Sequence, residues 1–248
     1  MPRLITSMLI VCVSLGMATQ ASADEETQAL IEKAIKAHGG REKLSKVRTT
    51  QLKTKGTIEL MGGLAFTQEI TIQLPKQIKE IMDLEVGGMK VTVITALNGD
   101  KAWITANGKD IEVSDKIMGE LTEGVYRVDV MNMVKLKDKK FELSSLGEVK
   151  VNDKKAVGVK VASKGHKDIN IYFDKESGLI AKVELQALDS MTGEEVPEER
   201  IITEYQDLDG QKMAKKVIIN RSDKKFMEAE VTEVKFVDKL DDSHFAKP

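Results

Sequence analysis

Cysteine is nearly absent from this chain. The single one, Cys12, lies inside an apolar N-terminal run. Beyond residue 23 there is none, which excludes a disulfide, a thiolate metal site and a cysteine nucleophile from the rest of the chain. Aromatic residues are also scarce at 4%, against 12 Met, so the core is expected to be aliphatic and methionine-rich. The formal charge is -2 with signs well mixed, and the basic excess of a nucleic-acid binder is missing. The three histidines share no ligand spacing such as HxH or HExxH. No GxSxG, P-loop or GxGxxG occurs.

The remaining polar candidates have plain local readings. His38 reads as a helix C-terminal residue on the dipole, His166 as part of a solvated turn, and His244 as part of a polar tail. Asp207-Leu208-Asp209-Gly210 opens like a calcium loop but lacks the later ligands and the closing Glu, so it reads as a hairpin turn. Glu194-Glu195 and Glu198-Glu199 read as a solvated acidic loop. The sequence therefore predicts no enzyme, no metal and no cofactor.

The N-terminus has the order of a secretory signal. Arg3 supplies the positive charge, Leu4 to Met17 the apolar stretch, and Ala21-Ser22-Ala23 the small residues for cleavage. The apolar stretch is short for a stable membrane span. Val11 before Cys12 argues against lipidation at that cysteine. The expected division is a signal peptide at 1–23 and one domain at 24–248, exported to a periplasmic or extracellular location.

Residues 24–47 are predicted helical, with Leu30, Ile31, Ala34, Ile35 and His38 on one face and Gly39-Gly40 as the stop. Period-two patterns then dominate. The clearest covers residues 169–188. Ile169, Ile171 and Phe173 share a face of one arm, and Leu179, Ala181, Val183, Leu185 and Ala187 share a face of the other. Met89 to Leu97 is apolar on both faces and is expected to be covered on both. Residues 114–134 break into amphipathic helix, with Ser114 as cap and Ile117, Met118 and Leu121 as the stripe. In the last strand the apolar parity moves from Met227, Ala229 and Val231 to Val234 and Phe236, which predicts a β-bulge.

The fold class is thus mainly β with accessory α: an open antiparallel β-barrel of about 11 strands covered by amphipathic helices. A barrel of more than about eight strands leaves space that its own side chains do not fill. The expected hollow is lined by Phe66, Ile70, Ile72, Met82, Val93, Trp103, Leu121, Met131, Phe173, Val183 and Leu185. Flexible aliphatic and Met walls suit an acyl chain better than a sugar or a nucleotide. The competing expectation is a filled core in a structural or interaction module of the cell envelope.

Several stretches resemble the LolA/LolB-like superfamily of periplasmic lipoprotein-sorting proteins. They are Ala37-His38-Gly39-Gly40, the run from Leu97 through Asn98-Gly99-Asp100 to Trp103, the run from Tyr172 to Leu179, Tyr205 to Gly210, and the closing Phe245 to Pro248. The resemblance implies an incomplete barrel under helices and a hollow that takes the acyl chains of a lipid or lipoprotein. It implies a monomeric carrier served by an envelope membrane-protein donor or acceptor. It also implies a lid arginine, for which Arg41, Arg48 and Arg127 are the candidates.

Overall fold

The computed structural model of the chain describes residues 15–60, 62–189 and 192–248, with side chains from Glu25 onward. Arg3, Cys12 and most of the apolar stretch of the expected signal peptide lie outside the described residues.

Two helices open the structure, α1 (Leu15–Ala37) and α2 (Arg41–Lys46). α1 begins earlier than the sequence suggests and stops where expected. Gly39 has φ +117°, a region open to glycine, and the Gly40 N–H returns to the Ile35 carbonyl at 2.9 Å. Six strands follow: β1 (Thr49–Ile58), β2 (Leu64–Gln73), β3 (Gln77–Val86), β4 (Met89–Asn98), β5 (Lys101–Ala106) and β6 (Lys109–Ile111). Then comes α3 (Asp115–Met131), whose Ser114 side chain caps the Ile117 N–H. Seven more strands complete the sheet: β7 (Phe141–Val151), β8 (Lys154–Ser163), β9 (Ile169–Asp174), β10 (Ile180–Leu188), β11 (Glu195–Leu208), β12 (Gln211–Arg221) and β13 (Lys224–Val237). A 3-10 turn at Asp242–Phe245 ends the fold.

All thirteen strands form one antiparallel sheet in the order β6-β5-β4-β3-β2-β1-β13-β12-β11-β10-β9-β8-β7. β6 and β7 are its edges, so the sheet is open and does not close into a barrel. Among the described residues there are thirteen strands, at the upper end of the roughly eleven to thirteen that the patterning allows. Antiparallel order follows from the short turns, many carrying glycine at positive φ, as at Gly99 and Gly108.

The sheet is strongly curved. Val125 of α3 packs with Leu97 of β4, while Val130 belongs to the same core as Ile171 of β9. Five helical residues span about 7.5 Å. β4 and β9 are eight strand steps apart, about 38 Å in a flat sheet. One helix serves both only if the sheet wraps around it.

Two apolar cores fill the inner face. The larger joins Ile31, Ala34 and Ile35 of α1, Leu44, Val130, Met133 and Leu136 to Phe141 and the inward residues of β8, β9 and β10. The smaller joins Met118, Leu121, Val125 and Val128 of α3 to Ile70, Ile72, Ile78, Leu97 and Ala102. The outer face of β3 and β4 is covered by the C-terminal turn, where Phe245 is fully buried. That explains the two-sided apolar pattern of β4 around Ala96.

The hairpin of β9 and β10 departs from its pattern in one place. Ile180 pairs with Phe173 and Lys182 with Tyr172, so Ala181 is an extra residue. Ile180 enters the main core, and Ala181 turns to a small cluster with Tyr172 and Ile201. A bulge moves every preceding side chain of the strand to the other face. Leu179 and Ala181 therefore do not share the inner face with Val183, Leu185 and Ala187.

Candidate functional site

The side of the sheet that carries α3 is the candidate site. Ile70, Ile72 and Leu121 meet in the smaller core. Met131, Phe173, Val183 and Leu185 meet in the larger one. Phe173, Val183 and Leu185 are at most 6% exposed, so the helices fill the space over β9 and β10. Met82 and Val93 face each other across β3 and β4 and stay partly exposed. Phe66 is buried, with its ring over Gly56, where a Cβ would stand 2.8 Å from the ring.

Trp103 lies on the other side of the sheet from these ten residues. It pairs with Ala96, whereas its neighbour Ala102 pairs with Leu97 and packs under α3. Successive strand residues point to opposite faces, so Trp103 points outward.

α3 is tied to the sheet by polar contacts along its length. Near its start, Lys116 Nζ donates to the Gly193 carbonyl at 3.0 Å. At mid-helix, Glu123 accepts from the Lys167 N–H at 3.3 Å and lies 2.8 Å from His166 Nδ1. The His166 ring lies flat on Tyr126, centroids 3.6 Å apart. His166 is therefore not a free solvated turn residue, because α3 lies over the β8–β9 turn. Arg127, almost fully buried, makes two bonds to Glu120 (2.6 and 3.2 Å) and one to the Gln186 carbonyl at 2.9 Å. Past the end of α3, Arg41 donates to the Val134 carbonyl at 2.8 Å. Asn132 donates to the Leu44 carbonyl at 3.0 Å. Of the three arginines singled out, Arg41 and Arg127 thus hold the α3 region, while Arg48 enters through its carbonyl, which accepts from Leu74 N–H.

The inner face also carries charge, and Glu198, expected in a solvated acidic loop, is instead a buried residue of a strand. Glu198 of β11 is 3% exposed and lies between Arg200 (2.7 Å) and Arg221 (2.8 Å). Burial alone would push its carboxyl up, but the two guanidiniums outweigh burial and hold it below the usual carboxylate range. The i, i+2 spacing of Glu198 and Arg200 on one strand was the available signal. Glu80 of β3 is different: burial raises its carboxyl, with only the Gln68 side chain in opposition.

The other histidines have separate partners. His38 Nδ1 lies 2.8 Å from the Ala34 carbonyl, and burial lowers the ring's pKa, so it packs as a neutral residue rather than a dipole-stabilised cation. His244 Nε2 lies 3.3 Å from the Thr71 hydroxyl. Among the described residues no group of three or more His, Cys, Asp or Glu could hold a metal ion.

Two adjoining cavities of about 880 and 670 Å3 border the β8–β9 turn, the larger reaching the outward residues Lys160, Asn170, Glu184 and Glu199 and the smaller lying against α3. They share His166, Lys167 and Glu195, and their walls combine polar groups such as Asn170, Glu184 and Glu120 with at least as much apolar surface. Of the eleven residues expected to line a hollow, Leu185 borders the larger one.

No family model matches the sequence, and no curated protein matches it. The fold does have solved counterparts. One is named as an outer membrane lipoprotein-sorting protein domain from Vibrio parahaemolyticus, at 11% identity and TM-score 0.54, covering 89% of this chain and 96% of that one. A LolA superfamily protein from Nitrosomonas europaea aligns at 10% identity and TM-score 0.52, covering 89% and 97%. A DUF1329 family protein from Desulfovibrio piger aligns at 13% identity and TM-score 0.51, with the same shares. The architecture is similar to that of these three solved structures. The chain is a LolA-like fold: an open, curved antiparallel sheet that holds helices on its inner side.

Proposed function

We propose that this protein is an exported, non-enzymatic carrier that shelters acyl chains of a lipid or lipoprotein under α3. The observation that carries the reading is the state of the inner face. Over β8 to β10 it is filled. Over β3 and β4 it still offers Met82, Val93, Leu84 and Val91, partly exposed beside the α3 core. The LolA-like fold supports the same reading, as does the signal-like N-terminus. No described helix is long and apolar enough to cross a membrane. α3 is a helix laid on a sheet, held by side-chain contacts, and two glycines, Gly119 and Gly124, lower its intrinsic stability. Its displacement would open continuous apolar surface from Ile72 to Leu97.

A second reading, an envelope interaction module with a filled core, is favoured by the tight packing of Phe173 and Val183. Native mass spectrometry of protein purified from its own envelope separates the two. Co-purifying lipid that is lost in Leu121→Asp, with the fold intact by circular dichroism, supports the carrier. A lipid-free protein that also ignores added fluorescent fatty acid supports the module.

A further inference from the structure

β3 carries one acid on the inner side of the sheet. Ile78, Glu80, Met82 and Leu84 alternate toward α3's side, and Lys79, Ile81 and Asp83 toward the outside. The register sets Glu80 directly between Ile70 of β2 and Thr95 of β4. Met82, Val93 and Ile104 complete an apolar surround on the same face.

The outer-face acids nearby are matched by lysine. Asp83 meets Lys90 at 2.9 Å, and Glu69 meets Lys53 at 3.3 Å. Among the described residues Glu80 has no ion pair. Its polar partner is the Gln68 side chain, and the Gln68 carbonyl oxygen accepts from the Thr54 hydroxyl at 3.0 Å. A polar path therefore crosses β1, β2 and β3 and ends at a carboxyl. Burial pushes that carboxyl up, and no neighbouring charge offsets it. The residue nevertheless keeps partial solvent access. A carboxyl in an apolar wall with one partner has acceptor capacity to spare, and unmet capacity of this kind is costly without a donor.

We propose that Glu80 and Gln68 form the polar end of the acyl-chain site and receive an N–H donor, amide or ammonium, attached to the chain. This assignment rests on the carrier reading and names the chemistry its cargo presents. An ammonium would pair with the ionised carboxylate, and an amide would donate to it. A cargo of chain and ester alone would leave Glu80 unmatched.

The test is isothermal titration of the full mature chain with dodecylamine, dodecanamide and methyl dodecanoate, below micelle-forming concentrations. The wild-type protein is expected to bind the amine and the amide at least tenfold more tightly than the ester. In Glu80→Leu that preference is expected to vanish while ester binding stays. Glu80→Gln, which keeps an acceptor but not the charge, is expected to lose the preference for the amine over the ester and to keep that for the amide. Both variants are expected to melt no lower than wild type, because each removes an unmatched carboxyl from an apolar wall. Equal binding of all three ligands by wild type overturns the Glu80 assignment and leaves the carrier standing. So does a preference that survives Glu80→Leu with the fold intact. If no ligand binds, the carrier reading falls, and this site falls with it.

Discussion

Arg41, at the start of α2, donates through Nη1 to the carbonyl of Val134, just past the end of α3, over 2.8 Å. Its Nη2 bonds Glu32 of α1 at 2.6 Å, and Glu32 also takes Lys137 at 2.8 Å. One guanidinium thus joins the first helix to the segment that leaves the covering helix. Arg41→Leu would release that end of α3. A hydrogen bond to a charged donor contributes roughly 1.5–3 kcal/mol, and partial exposure here favours the lower end. Amide exchange at residues 132–136 is expected to speed up about tenfold, while β9 and β10 stay protected. Unchanged exchange at Leu136 would show that Arg41 does not hold the segment.

Glu198 makes a prediction about acid. Its folded pKa is depressed, because Arg200 and Arg221 outweigh the burial that opposes them. A depressed carboxylate contributes stability above its unfolded pKa and loses it as pH falls through the folded value. Glu198→Gln should therefore cost stability at pH 7, roughly 1–3 kcal/mol. That is less than the 3–5 expected for a fully buried pair, since both arginines keep some solvent access. The gap between wild type and variant is expected to narrow as pH drops below about 4. Urea melts at pH 7 and pH 3 measure it, and a gap that is constant with pH would contradict the ion-pair account.

Much of the fold was legible because local chemistry agrees with it. The stripe of Ile31, Ala34 and Ile35 docks as the spacing predicts. The parity change in the last strand corresponds to Thr232, the extra residue between Val231 and Glu233 in the pairing with β1. The stretches that resemble the LolA/LolB-like superfamily also gather in space. Gly39 backs onto Gly210, where a Cβ would stand 2.8 Å from the carbonyl oxygen. The Lys212 N–H meets the His38 carbonyl at 3.3 Å, and Lys33 donates to the Lys175 carbonyl at 2.6 Å. These turns define the seat of α1, which is why short motifs carry fold information.

Other features depend on distant partners and were not legible. Closure of the sheet depends on whether β6 and β7 pair, and α3 lies between them in the chain. Trp103 is the exception, since alternation with Ala102, Ile104 and Ala106 already sets it on the outward face of Lys101 and Thr105. His166 reads as solvated beside Lys164, Gly165 and Lys167, yet a helix forty residues earlier covers it. Glu198 reads as part of a solvated acidic loop until β11 buries it between two arginines, and nothing local marks Glu80 until the register sets it on the inner face.

The central claim is that acyl chains lie between α3 and the inner face of β3 and β4. Photolabelling with a diazirine-bearing fatty acyl lipid, followed by peptide mapping, tests it most directly. The account predicts adducts at Met82, Val93 and Ile70, with few at outward Trp103, and their loss in Leu121→Asp. Adducts confined to the outer face, or none above background in the folded protein, would contradict it.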